Sequence, residues 1–73
     1  MEYKDVLAHD LTEKGISPAE LARMIDSPRS TVHALLNGRA KEPTLGRAKA
    51  IADALGVSLQ EMADMMFEDE PNR

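Results

Sequence analysis

The sequence predicts an all-α fold of five short helices, and three observations carry that expectation. The apolar residues are mainly Ala, Leu and Met, with one Tyr, one Phe and no Trp, a mix that suits helices packed through small side chains. β-Branched residues are too few and too scattered to build strands. Capping residues and glycines recur at short intervals and cut the chain into five helical pieces.

The first helix is expected from about Glu2 to Lys14, where Tyr3, Val6, Leu7 and Leu11 share a stripe and Gly15 supplies a left-handed stop. The second opens at Ile16-Ser17-Pro18-Ala19-Glu20-Leu21. Ser17 is its cap, Pro18 takes the first position, Glu20 completes a capping box, and Ile16 with Leu21 closes a hydrophobic staple. Asp26 marks its end. The third starts at once, with Ser27 as cap and Pro28 first, and ends at Asn37-Gly38. After a polar loop from Arg39 to Pro43, Thr44 caps a fourth helix over about Leu45 to Leu55, stopped by Gly56. Val57-Ser58-Leu59-Gln60-Glu61-Met62 repeats the box-and-staple device and opens a fifth helix lasting to about Phe67. Residues 1–67 therefore form one domain, and the acidic tail 68–73, with no apolar residue, is expected to fray.

The junction of helices two and three is the informative one. Asp26-Ser27-Pro28 leaves room for a turn of only a few residues. Leu21, Ala22 and Ile25 before it face Val32 and Leu35 after it. Burying both faces forces a steep crossing, with Ala22 where the backbones approach. That is the geometry of a helix-turn-helix whose second helix projects from the body.

Charge is distributed unevenly. The net charge is −4, yet residues 1–22 carry two bases and five acids (−3), residues 23–49 six bases and two acids (+4), and residues 50–73 one base and six acids (−5). A basic centre between acidic flanks suits one face that meets phosphate while the others repel it; the alternative is an ordinary solvated surface. Without cysteine there are no disulfides or thiolate metal sites. Two histidines on different helices, no glycine-rich phosphate loop and acids spread over exposed faces speak against catalysis. His9-Asp10 is a lone neighbour pair and no catalytic constellation. No cofactor or metal is expected. The apolar runs are far short of a membrane span and the N-terminus does not read as a signal peptide, so a cytoplasmic location is expected.

Lys14-Gly15-Ile16-Ser17, Glu20-Leu21-Ala22, Arg29-Ser30-Thr31-Val32, Asn37-Gly38 and Ala54-Leu55-Gly56-Val57-Ser58-Leu59 together resemble, in order and spacing, the phage-repressor-like (Cro and lambda-repressor type) helix-turn-helix regulators. The resemblance covers about residues 4 to 67. It implies a compact five-helix domain that binds operator DNA, usually as a dimer on a two-fold related site. There are departures. Pro18 stands where the family often has a phosphate-anchoring Gln, Asp26 where the turn usually has Gly, and Ser27 where Val is common. Leu11 and Leu36 occupy positions at which many members pair Arg with Glu; both have changed together, so no charge is orphaned.

With Val32 and Leu35 facing the core, Arg29, Ser30, His33 and Ala34 point outward as base contacts. Arg29 is the specificity candidate, because a guanidinium bonds both N7 and O6 of guanine. Ser30 is weakly selective, His33 reaches a base or a phosphate, and Ala34 suits a thymine methyl. Thr31 fits the family's phosphate position; Ser17, Arg39, Lys41 and Thr44 complete the backbone-contact set. Of Arg47 and Lys49, two residues apart on one helix, only one can face the DNA. On the fifth helix Leu59, Met62, Ala63 and Met66 form a core stripe, and Met65, Met66 and Phe67 are expected to make a homodimer surface. The expected function is a transcriptional regulator, a repressor, reading double-stranded operator DNA. The competing reading is an antitoxin-like protein-interaction module on the same fold, or the DNA-binding part of a longer repressor.

Overall fold

Five helices form where capping residues and glycines delimit them: α1 (Tyr3–Lys14), α2 (Pro18–Met24), α3 (Arg29–Leu36), α4 (Leu45–Leu55) and α5 (Leu59–Phe67). They belong to a computed structural model that describes residues 1–67. The expected acidic tail, 68–73, lies outside the described residues. No helix among them is long and apolar enough to cross a membrane.

Two of the junctions are built the same way. Gly15 ends α1 at φ 68° and Gly56 ends α4 at φ 74°, both left-handed. The next residue closes the motif from its backbone N–H, Ile16 to the Leu11 carbonyl and Val57 to the Ala52 carbonyl, each at 3.0 Å. A serine then caps the following helix. Ser17 Oγ accepts from the Glu20 N–H at 3.1 Å while Glu20 Oε1 accepts from the Ser17 N–H at 3.0 Å. Ser58 and Glu61 repeat the exchange at 2.9 Å in both directions. Gly–apolar–Ser–x–x–Glu thus stops one helix and starts the next within six residues.

Between α2 and α3 the stop is made without glycine. Asp26 sits at φ 55°. Its N–H donates to the Arg23 carbonyl at 3.2 Å and the Ser27 N–H to the Ala22 carbonyl at 2.9 Å, so the full left-handed termination forms on an aspartate. This corrects the expected start of α3. Ser27 is not its cap: the backbone bond to Ala22 holds Ser27 inside the turn, and its hydroxyl donates back to the Ile25 carbonyl at 3.4 Å. Pro28 takes the cap position, extended at ψ 148°, and offers no side-chain bond to the helix.

Each helix sends apolar side chains to one core. Val6 and Leu7 (α1), Leu21 (α2), Val32 (α3) and Ile51 (α4) are fully buried, and Met62 (α5) nearly so. The most extensive helix contact is α2 on α3, with Ala22 buried where they cross. The α1 and α5 helices pack antiparallel. The Met1 ammonium donates to the Met66 carbonyl at 3.0 Å at one end, and Lys14 acts on Glu61 at the other. Leu11 and Leu36 line one apolar groove with Ile16.

One acid departs from the expectation of exposed faces. Asp10 is only 6% exposed, because positions 3, 6, 7, 10 and 11 form a single stripe on α1. His9 Nδ1 lies 3.2 Å from its Oδ1. Asp10 Oδ2 and the Tyr3 hydroxyl are both buried without a hydrogen bond. Burial, reinforced by the Asp10 charge, pushes the Tyr3 phenol up to about 12.

Two outcomes follow from the helix ends. Asp26→Gly should stabilise the domain by about 1 kcal/mol, since glycine takes the left-handed conformation without steric cost. Tm would rise by about 4–8 °C in a domain of this size; an unchanged or lower Tm in thermal unfolding contradicts the strain reading. Bonds from Ser58, its backbone N–H first and its side chain second, hold the Glu61 carboxyl below its ordinary value of 4.5. Stability from this group is present above that value and is lost as acid protonates the carboxylate in the fold. Glu61→Gln, which cannot titrate, should lose less stability than the parent between about pH 5 and 3 in urea titrations.

Candidate nucleic-acid interface

The first turn of α3 differs from the other helix starts. Four helices have a side-chain bond at their N-terminus: Glu2 with Asp5 for α1, Ser17 with Glu20 for α2, Thr44 for α4, and Ser58 with Glu61 for α5. The α3 helix has none. Thr31 N–H donates to the Pro28 carbonyl at 3.0 Å. The N–H groups before it open outward, together with the positive pole of the helix. Arg29 and Ser30, both exposed, stand at this end.

Arg29 also lines a cleft between α2 and α3 with Ala19, Ala22, Arg23, Asp26, Ser27 and Pro28. Its guanidinium makes no hydrogen bond or ion pair with another described residue. The same holds for the exposed Arg23, Arg39, Lys41 and Arg47. By contrast, Lys49 Nζ pairs with Asp53 Oδ2 at 3.0 Å, one turn along α4. Arg47, two residues before it on the same helix, makes no such pair with a described residue.

The remaining expected contacts are distributed as follows. His33 is exposed one turn beyond Arg29, while Ala34 and Thr31 are half-buried beside it. In the loop, Asn37 Oδ1 accepts from the Arg39 N–H at 2.9 Å, which fixes the backbone where Arg39 and then Lys41 leave the surface. Thr44 Oγ1 accepts from the Arg47 N–H at 3.3 Å. Ser17 is exposed, but its N–H is taken by the Glu20 carboxylate. Its side chain is engaged with Glu20 as well, accepting from the Glu20 N–H and bonding the Glu20 carboxylate. On α5, Met65 and Met66 are half-buried against the domain's own core, and Phe67 is 43% exposed.

Two residues that the sequence left unassigned belong to these surfaces. Arg23 counts in the sequence only among the six bases of residues 23–49; the fold brings it to the cleft that holds Arg29. Leu45 reads as an ordinary first helical residue but is 76% exposed, at the rim of an apolar groove shared with Met62, Ala63 and Met66. Its signal was a large apolar side chain directly after a cap. Among the described residues no three His, Asp or Glu side chains converge as metal ligands.

A helix-turn-helix family model matches residues 8–62. The chain is 41% identical over 64 residues to repressor protein C of Rhizobium phage 16-3, a match covering 88% of this chain and 24% of that protein. It thus spans about a quarter of the length of that relative. No solved structure matches it. With Asp26 making the turn between α2 and α3 and the family match running from α1 into α5, the chain belongs to the phage-repressor-like helix-turn-helix family.

Proposed function

We propose that the protein is a sequence-specific repressor, acting in the cytoplasm, that reads double-stranded operator DNA through α3 in the major groove. The observation that carries this reading is the uncapped first turn of α3, bearing an arginine with no ion partner among the described residues. A cation at a helix N-terminus opposes the dipole; a guanine edge or a phosphate in front of it reverses that penalty. Arg29 reads base edges, with Ser30, His33 and Ala34 beside it. Thr31, Arg39, Lys41, Thr44 and Ser17 hold the phosphates that set its register. The acidic remainder of the surface lowers non-specific affinity, so discrimination rests on the base contacts.

The protein acts as a homodimer in this reading. Met66 and Leu45 share one groove and Phe67 lies at its end with Met1, which extends the expected Met65–Phe67 patch onto α4. Two copies related by a two-fold axis would set their α3 helices about 34 Å apart, in successive major grooves. Occupancy of a promoter then blocks polymerase. The name of the phage relative, a repressor protein, supports that direction of control.

Selection from a random duplex pool should recover an inverted repeat. Arg29→Ala should lose about 1–3 kcal/mol of discrimination at one base position per half-site. An unenriched pool, or a variant with unaltered base preference, contradicts the assignment and favours a protein partner for this face. Arg47→Ala should flatten the salt dependence of binding by about one ion, whereas Lys49→Ala, already paired with Asp53, should leave it unchanged. Equal effects at both positions in salt titrations contradict this division of roles between Arg47 and Lys49.

A further inference from the structure

We propose that Lys4 is a phosphate-contacting residue of the DNA interface, carried by α1 to the C-terminal end of the reading helix; this rests on the operator-reading function above. In sequence Lys4 belongs to the acidic first segment, and nothing local connects it to the basic centre. In the fold its side chain lies across Gly38, the residue that ends α3 at φ 82° and leads into Arg39. A Cβ on Gly38 would stand 3.3 Å from Lys4 Cδ and 3.5 Å from Nζ. The apolar stem therefore rests on bare backbone, with the ammonium beside the loop that bears Arg39 and Lys41. The first turn of α1 also borders that loop further on, where Glu2 and Tyr3 share a cavity with Lys41 and Glu42.

The ammonium has no hydrogen bond or ion pair among the described residues, although Lys4 is half-buried. The carboxylates nearest in sequence are engaged elsewhere. Glu2 accepts from the backbone of Asp5, and Asp5 Oδ2 accepts from the Glu2 N–H at 3.2 Å. An unpaired cation beside two further unpaired cations is a site for an anion from outside, and a backbone phosphate supplies one. The competing role is structural: a positive charge near the C-terminus of α3 complements its dipole. The two roles differ in what they do to salt dependence.

The test uses the full chain and a duplex bearing the selected repeat, with Kd measured across a salt series for the parent, Lys4→Met and Lys4→Arg. Lys4→Met keeps the stem and removes the charge. It should reduce the slope of log K against log salt by about 0.9, on random as well as selected duplex, while Lys4→Arg retains the parent slope. If circular dichroism shows that Lys4→Met does not fold, Lys4→Gln takes its place. A parent slope retained by the neutral variant, even with a lowered Tm, overturns the phosphate role and leaves the operator reading intact. A parent chain that binds no duplex overturns both.

Discussion

Neither α2, with seven residues, nor α3, with eight, is long enough to persist as a helix in water by itself. Each exists because the other covers it. Leu21 and Ala22 from one, with Val32 and Leu35 from the other, leave water together, and only a turn as short as Ile25 to Pro28 keeps both faces in register. The left-handed Asp26 is the hinge of that arrangement. Everything else is placed relative to this crossing: α1 and α4 close the core behind it, and α5 lies antiparallel against α1. The outward end of α3 has no packing role and is left to present Arg29 and Ser30.

The elements most legible in the sequence were those specified locally. Ser17 with Glu20, Thr44, and Ser58 with Glu61 cap the helices they were expected to cap, since a capping box needs only residues three apart. The start of α3 was misread for a tertiary reason. Ser27 has the chemistry of a cap, but completing the left-handed termination of α2 draws its N–H to Ala22, and the boundary moves to Pro28. Asp10 lay on the apolar stripe by spacing while its residue type argued for solvent; spacing prevailed. For the candidate site, the exposure of Arg29, Ser30 and His33 on α3 followed from the burial of Val32 and Leu35, whereas Ala34, expected outward with them, is half-buried. The approach of Lys4 to Gly38, the shared cleft of Arg23 and Arg29, and the exposure of Leu45 did not follow in this way. These depend on how distant helices meet, which no short-range pattern encodes.

An acidic protein that meets a polyanion must separate attraction from repulsion in space. Here the separation is also one of pairing. The acids of the helix starts are turned back onto their own backbone, Glu20 to Ser17 and Glu61 to Ser58, where they serve the dipoles of α2 and α5. The side chains of the cations from Arg23 to Arg47 make no hydrogen bond or ion pair among the described residues, although the Arg23 charge acts on Glu20, and Lys49 is the exception that is paired. A chain with net charge −4 can in this way keep a positive working face without neutralising it.

The buried phenol of Tyr3 has a consequence at the other end of the pH scale. An unfolded chain releases a tyrosine proton near 10, whereas the fold retains this one to about 12. Between those values the folded state binds the proton and the unfolded state does not, so alkali steadily favours unfolding. A hydroxyl buried without a hydrogen bond next to a buried carboxylate therefore sets an alkaline limit on the domain, from within the core rather than from its charged surface.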